Sequence, residues 1–235
     1  MFTNKNMKYY NEIKLMLYNE YDKLKNEFNI NYPCLIASKK DEFEINYKNL
    51  YRYSTETAEE LAVKYLSDNT LMYSKLFLVL KTNECVQGII IPEYALLQFL
   101  FANLKAPKHL VEDYLKISLR HEVGHCLSNE QIFRYSGYVN GGIIFHNDLN
   151  VSQTLWEEYT KDKDYDNLSL EKTAEYYRYY HNLPMEKKAN DIVGIDIDKD
   201  IVSMEIDLIK FSSDEVGDDD SDTEATNQAI HTSDT

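Results

Sequence analysis

Residues 120–127 read RHEVGHCL, inside a stretch where Leu115, Leu119, Val123 and Leu127 return every fourth position. That period predicts a helix opened by Pro107, with one apolar stripe for a core to cover. His121 lies about 200° around the wheel from Leu119, so the stripe can be buried while His121 and His125 face a cleft. The two histidines are separated by about 400° of rotation, which stacks their rings on nearly one line. Gly124 costs such a helix up to about 1 kcal/mol against alanine, so it asks for a reason such as the close approach of another element.

The pattern H-E-x-x-H has a chemical logic at each position. Histidines at this spacing can reach one tetrahedral ion, where Zn–N distances are about 2.0–2.1 Å. Glu122 sits about 100° around from His121. There it can hold a water on the metal without ligating, take its proton as general base, and pass that proton to a leaving amine. Catalytic zinc normally takes three protein ligands and keeps one position open, so a third ligand is expected elsewhere. After His125 the chain reads CLSNEQ, with no histidine until His146, which leaves downstream glutamates: Glu130, Glu157, Glu158, Glu171, Glu175 and Glu186.

Glu130 follows His125 at an offset that rotates it off the metal face. The stretch YYHNLPMEKKAND (179–191) is more informative. Pro184 breaks one helix and starts another, with Glu186 in its first turns. Asn190 follows on the same face, where it can hydrogen-bond a metal-bound histidine. Glu186 is the first choice and Glu175 the second. An oxyanion produced at the metal needs a donor, for which His146, His181 and Tyr180 are candidates. Cys126 projects about 100° away from His125 and reads as a core thiol.

HEVGH followed by EKKAN resembles the zincin metallopeptidases that use a glutamate as third ligand. More narrowly, it resembles the ImmA/IrrE-like peptidases of bacteria, phages and mobile elements, which pair H-E-x-x-H with a later E-x-x-A-N or E-x-x-A-D/R helix. Phage-type relatives often place L-P-x-E-K there, and this chain has LPMEK. The resemblance covers roughly residues 85–195. It implies a zincin-like fold in which two helices cross at the metal beside a small twisted sheet. It also implies zinc on His121, His125 and Glu186, with Glu122 as base. One departure is the long span between His125 and Glu186, which leaves room for an inserted subdomain that alters the cleft.

Composition narrows the partners. The 235 residues carry a formal charge of −15, with 40 acidic against 25 basic side chains. Eight of the acidic residues lie in 212–235, which has no lysine or arginine, leaving a net −7 before it. Neither value suits a nucleic-acid backbone, which needs a cationic face. The first residues, MFTNKNMKYYNEIK, lack an apolar signal core, and no run is long and apolar enough to span a membrane. Cys34, Cys85 and Cys126 are odd in number and widely spaced, which suits reduced thiols and a cytoplasmic location.

Local patterns predict an α+β fold. Tyr10, Ile13, Leu17, Tyr21, Leu24 and Phe28 mark a packing helix over 7–28. Phe43, Ile45 and Tyr47 alternate as in a half-buried strand. Thr57 and Glu60 suggest a capping box for a helix to about Leu66. Strands are expected over 71–80 and 86–91, a helix over 93–104, and loop chemistry over SGYVNGGIIF (136–145). Short helices are expected over 152–160 and, capped by Ser169, over 170–181. GIDIDKDIV (194–202) alternates as a strand with one wet face; its Asp196, Asp198 and Asp200 lack the glycine and final glutamate of a calcium loop. The expected organisation is one zincin-like domain over 1–211, with an N-terminal helix and strand part (1–84) and a metal-site part (85–211). A disordered acidic tail (212–235) follows.

These residues point to a cytoplasmic zinc endopeptidase acting on a peptide or protein substrate, a regulatory protein by the resemblance. The resemblance to zincins also implies that its 86–91 strand pairs with extended substrate. The alternative is a non-catalytic, zinc-stabilised interaction or sensor protein of a phage or mobile element, which needs the metal but not Glu122 as a base.

Overall fold

The first helix, α1 (Asn4–Phe28), buries the stripe its sequence announces, with Tyr10, Ile13, Leu17, Tyr21 and Leu24 nearly inaccessible to solvent. The structure, a computed structural model, describes residues 4–48, 54–64, 66, 70–79, 84–161 and 169–213. The acidic tail from residue 214 onward lies outside the described residues. Three strands form one mixed sheet in the order β1-β3-β2: β1 (Cys34–Ala37) pairs parallel and β2 (Tyr73–Val79) antiparallel with β3 (Glu84–Pro92). Ile89, Ile90 and Ile91 are all buried, as expected of a central strand covered on both faces. The fold is α+β and mostly helical.

Two segments that alternate in sequence are not strands. Residues 39–48 form α2 (Lys39–Lys48), because Ser38 and Asp41 cap it reciprocally: Ser38 Oγ accepts from the Asp41 N–H at 3.2 Å and Asp41 Oδ2 from the Ser38 N–H at 3.0 Å. Its buried face carries Glu42 and Asn46, polar residues one turn apart, while Phe43 stacks on Tyr47. Residues 197–202 form a π-helical turn leading into α8 (Ser203–Ser213). Asp196 accepts from the Lys199 N–H, Asp200 from the Asp196 N–H, and Asp198 pairs with Arg178, so all three aspartates serve local structure. The helix read from Thr57 begins two residues earlier, as α3 (Thr55–Lys64), with the Ser54 hydroxyl accepting from the Thr57 N–H. After α4 (Glu93–Ala102) the chain enters the helix that carries H-E-x-x-H.

That helix, α5 (Lys108–Thr160), is much longer than the sequence suggests, and SGYVNGGIIF is helical instead of a loop. It is broken at Gly137, whose φ of 68° and ψ of 178° lie in a region open almost only to glycine. The first half buries Val111, Leu115, Leu119 and Val123 against α1 and the sheet. The second half lies beside α6 (Leu170–His181) and α7 (Pro184–Val193), where Ser152 Oγ accepts from the Met185 N–H and the Leu155 carbonyl from Tyr179. Ser169 caps α6 as expected, and Pro184 opens α7 in its first turn.

The contact between α5 and α7 is the most extensive between any two helices. Gly124 permits it: a Cβ there would stand 2.3 Å from the Ala189 carbonyl oxygen and 2.8 Å from its carbon, both backbone atoms. Alanine is the better helix former by about 1 kcal/mol, yet overpacking against rigid backbone costs about 1–3 kcal/mol or more. Gly124→Ala is therefore expected to destabilise the protein, lowering its thermal midpoint by several degrees in a calorimetric scan; an unchanged or raised midpoint would contradict this packing.

Candidate metal centre

The close packing of α5 on α7 carries His121 and His125 from one helix and Glu186 from the other to a common point. Their ligand atoms all lie within 4.8 Å of one another, and these three residues could hold a metal ion. His121 Nε2 is 2.9 Å and His125 Nε2 3.3 Å from Glu186 Oε2, and the two Nε2 atoms are 3.1 Å apart. Two donors bound to zinc at about 2.0–2.1 Å with tetrahedral angles stand about 3.3–3.4 Å apart. The observed separations fit that spacing to within a few tenths of an ångström, and two imidazoles with a carboxylate form a donor set that zinc accepts.

A second layer orients the first. Asn190 Oδ1 accepts from His121 Nδ1 at 2.7 Å, while Asn190 Nδ2 donates to the His181 carbonyl at 3.4 Å. A proton on Nδ1 leaves the Nε2 lone pair pointing at the cluster, the tautomer a metal requires. Asn190 is fully buried, so this bond is shielded from competing water. Comparison with models of protein families, with curated proteins and with solved structures finds no match. The chemistry of the cluster therefore rests on its own geometry.

Glu122 is buried beside the cluster, and its Oε2 accepts from the Ser74 N–H at 2.6 Å. That N–H turns away from β3, so the outer edge of β2 runs past Glu122. Burial pushes the Glu122 carboxyl up, while His125, His121 and the Ser74 N–H pull it back. Burial opposes charge on His121 too, but Glu186, Glu122 and Asn190 outweigh it and raise its pKa to about 9. Burial also works to raise Glu186, yet the two imidazoles hold it well below the usual carboxylate range. The cluster thus draws in positive charge, which a divalent cation supplies as well as a proton does.

The remaining sequence candidates divide. Tyr180 lines the same cavity as His121 and Glu122. Burial, with the carboxylates of Glu186 and Glu122 nearby, keeps its phenol neutral far above the usual range. His181 is buried with its ring 5.8 Å from that of His121 and its Nε2 3.8 Å from Glu205. His146 is exposed on the second half of α5, its ring against Phe145 and outside the cluster. Glu175 is exposed on α6, and Glu130 accepts from the Tyr32 hydroxyl, so neither joins the three. Cys126 is fully buried in the core. Ser74, Trp156 and Glu205 border the site without having been singled out, because each arrives from a distant segment with no local motif.

His121→Ala and Glu186→Ala are each expected to abolish stoichiometric zinc binding by elemental analysis, whereas Glu175→Ala retains it. Asn190→Ala should weaken zinc by about 10–100-fold in competition with a chromophoric chelator, as loss of a histidine-orienting partner does.

Proposed function

We propose that this protein is a zinc-dependent endopeptidase of zincin-like architecture, with His121, His125 and Glu186 as ligands and Glu122 as general base. The observation that carries the reading is the meeting of three convergent donor atoms with a separate buried carboxylate, Glu122, beside a cavity that His121 and Glu122 line. A merely structural metal site needs no such unligated carboxylate, and normally closes its fourth position with a protein ligand. A zinc ion held here supplies Lewis acidity toward water and toward a substrate carbonyl.

The chain's own groups divide the remaining work. Glu122 takes a proton from the attacking water and returns it to the leaving amine nitrogen. The Ser74 N–H holds its carboxylate in place, and burial tunes it toward the basicity that proton transfer requires. Tyr180, kept neutral, is the favoured donor to the developing oxyanion. The expectation that the 86–91 strand pairs with substrate is corrected: β3 is the central strand, paired with β2 on one side over residues 84–90 and with β1 on the other over Ile89–Pro92. The outer edge of β2 takes that role, because it passes directly beside Glu122. Substrate pairing there is backbone to backbone, so it aligns extended peptides irrespective of sequence.

Glu122→Gln is expected to retain zinc and thermal stability while peptide hydrolysis falls by about 10²–10⁴-fold. Mass spectrometry of a proteome-derived peptide mixture, incubated with zinc-loaded protein or the variant, measures this. Cleavage at the wild-type rate by Glu122→Gln would contradict the reading, as would the absence of any zinc-dependent cleavage, which would favour the interaction protein.

A further inference from the structure

Beside the proposed zinc site lies a cavity of about 300 Å³, a volume suited to one amino-acid side chain. Its walls include Trp156, Tyr176, Tyr177 and Tyr180, brought in by the second half of α5 and by α6. Trp156 meets Tyr176 at 4.9 Å and Tyr180 at 5.2 Å, centroid to centroid, with their planes steeply inclined, so the rings form adjoining walls instead of one stack. Aromatic faces arranged in this way are a cation-binding surface.

Glu205 closes the cavity from α8. It is more than nine-tenths buried, and its Oε1 accepts from the Tyr114 hydroxyl at 3.1 Å. Among the described residues its Oε2 has no hydrogen-bond partner, and neither does Nδ1 of the neighbouring His181. A buried carboxylate oxygen without a partner is costly and rare, which makes it a mark of a ligand. Among the described residues no lysine or arginine lines the cavity. An apolar side chain would seal Glu205 Oε2 away unpaired, and an acidic one would be repelled. A ligand that brings both donors and positive charge satisfies the aromatic walls and Glu205 together, with His181, whose Nε2 lies 3.8 Å from Glu205 Oε1, as the cavity's own basic neighbour.

We propose that this cavity is a specificity pocket for a lysine or arginine side chain of the residue flanking the bond to be cut. The assignment rests on the peptidase reading for its place in a substrate, because His121 and Glu122 line the same cavity. The occupant's ammonium or guanidinium pairs with Glu205 Oε2, while its methylene stem and cationic head lie against the aromatic faces. The span between His125 and Glu186 thus supplies selectivity: it contains all four of these aromatic walls, Trp156, Tyr176, Tyr177 and Tyr180.

Trp156 is the chain's single tryptophan, so its emission reports occupancy without any need for turnover. The full-length, zinc-loaded protein is titrated with n-butylguanidinium, n-butylammonium and, as a neutral match, 1-pentanol. Saturable changes are expected for the two cations, with the alcohol about tenfold weaker or more. Glu205→Gln should reduce the cations to the affinity of the alcohol, and Tyr176→Leu should weaken the cations while sparing the alcohol. Equal or tighter binding of pentanol, no binding of either cation, or cation binding unaltered by Glu205→Gln would overturn the proposal. If Glu205→Gln fails to fold, the wild-type selectivity and Tyr176→Leu decide. Peptides carrying lysine, norleucine or glutamate beside a cleavable bond separate the two readings. Cation binding without cleavage of any peptide would sink the peptidase and keep the pocket, whereas cleavage that favours norleucine would sink the pocket and keep the peptidase.

Discussion

At residue 124 the backbone of α5 runs so close to that of α7 that no side chain fits between them. This single approach sets the distance between the two helices, and with it the distance between their polar groups. His121 and His125 straddle Gly124 on α5, and Glu186 and Asn190 straddle Ala189 on α7. The helices are pressed together by burial of Val123 and Ala189 on either side of the contact. A gap wider by one methyl group would part Glu186 from both imidazoles, whose donor separations leave only tenths of an ångström to spare.

The same packing accounts for the electrostatics. Glu122 and Glu186 bring two carboxylates into a poorly hydrated space beside the two imidazoles. Buried charge of one sign is tolerated only when it is paired or bound to a metal. The raised pKa of His121 and the depressed one of Glu186 are the signature of that demand for a cation. A bound zinc ion would meet it with more charge in less volume, and its binding energy would then add to folding energy, since the unfolded chain offers no such site. The proposed cation pocket extends the pattern outward: Glu205 is a further buried acceptor, with one carboxylate oxygen left without a hydrogen-bond partner among the described residues.

What the sequence disclosed depended on whether the relevant signal was local. The α1 stripe and the helix around RHEVGHCL follow from spacing alone, and so does the restart at Pro184. Gly124 looked out of place in a helix, and its neighbour proves to be the Ala189 carbonyl. Phe43, Ile45 and Tyr47 misled because the buried face of α2 is polar: Glu42 meets the Tyr73 hydroxyl and Asn46 the Ala62 carbonyl, which periodicity scores as solvent-facing. Ile195 to Ile201 misled because aspartates spaced for a strand also suit capping of a wide turn. The Ser74 N–H is a backbone group, and Glu205 is one of many glutamates, so neither carries a local mark of its place at the site.

X-ray absorption at the zinc K-edge on metal-loaded protein in solution tests the central assignment most directly. Four-coordinate zinc with two imidazole nitrogens at about 2.0–2.1 Å, the remaining scatterers oxygen at about 2.0–2.2 Å and no sulfur, is the expected spectrum. A sulfur shell at about 2.3 Å, a single imidazole, or hexacoordinate loosely bound metal would contradict a centre built from His121, His125 and Glu186.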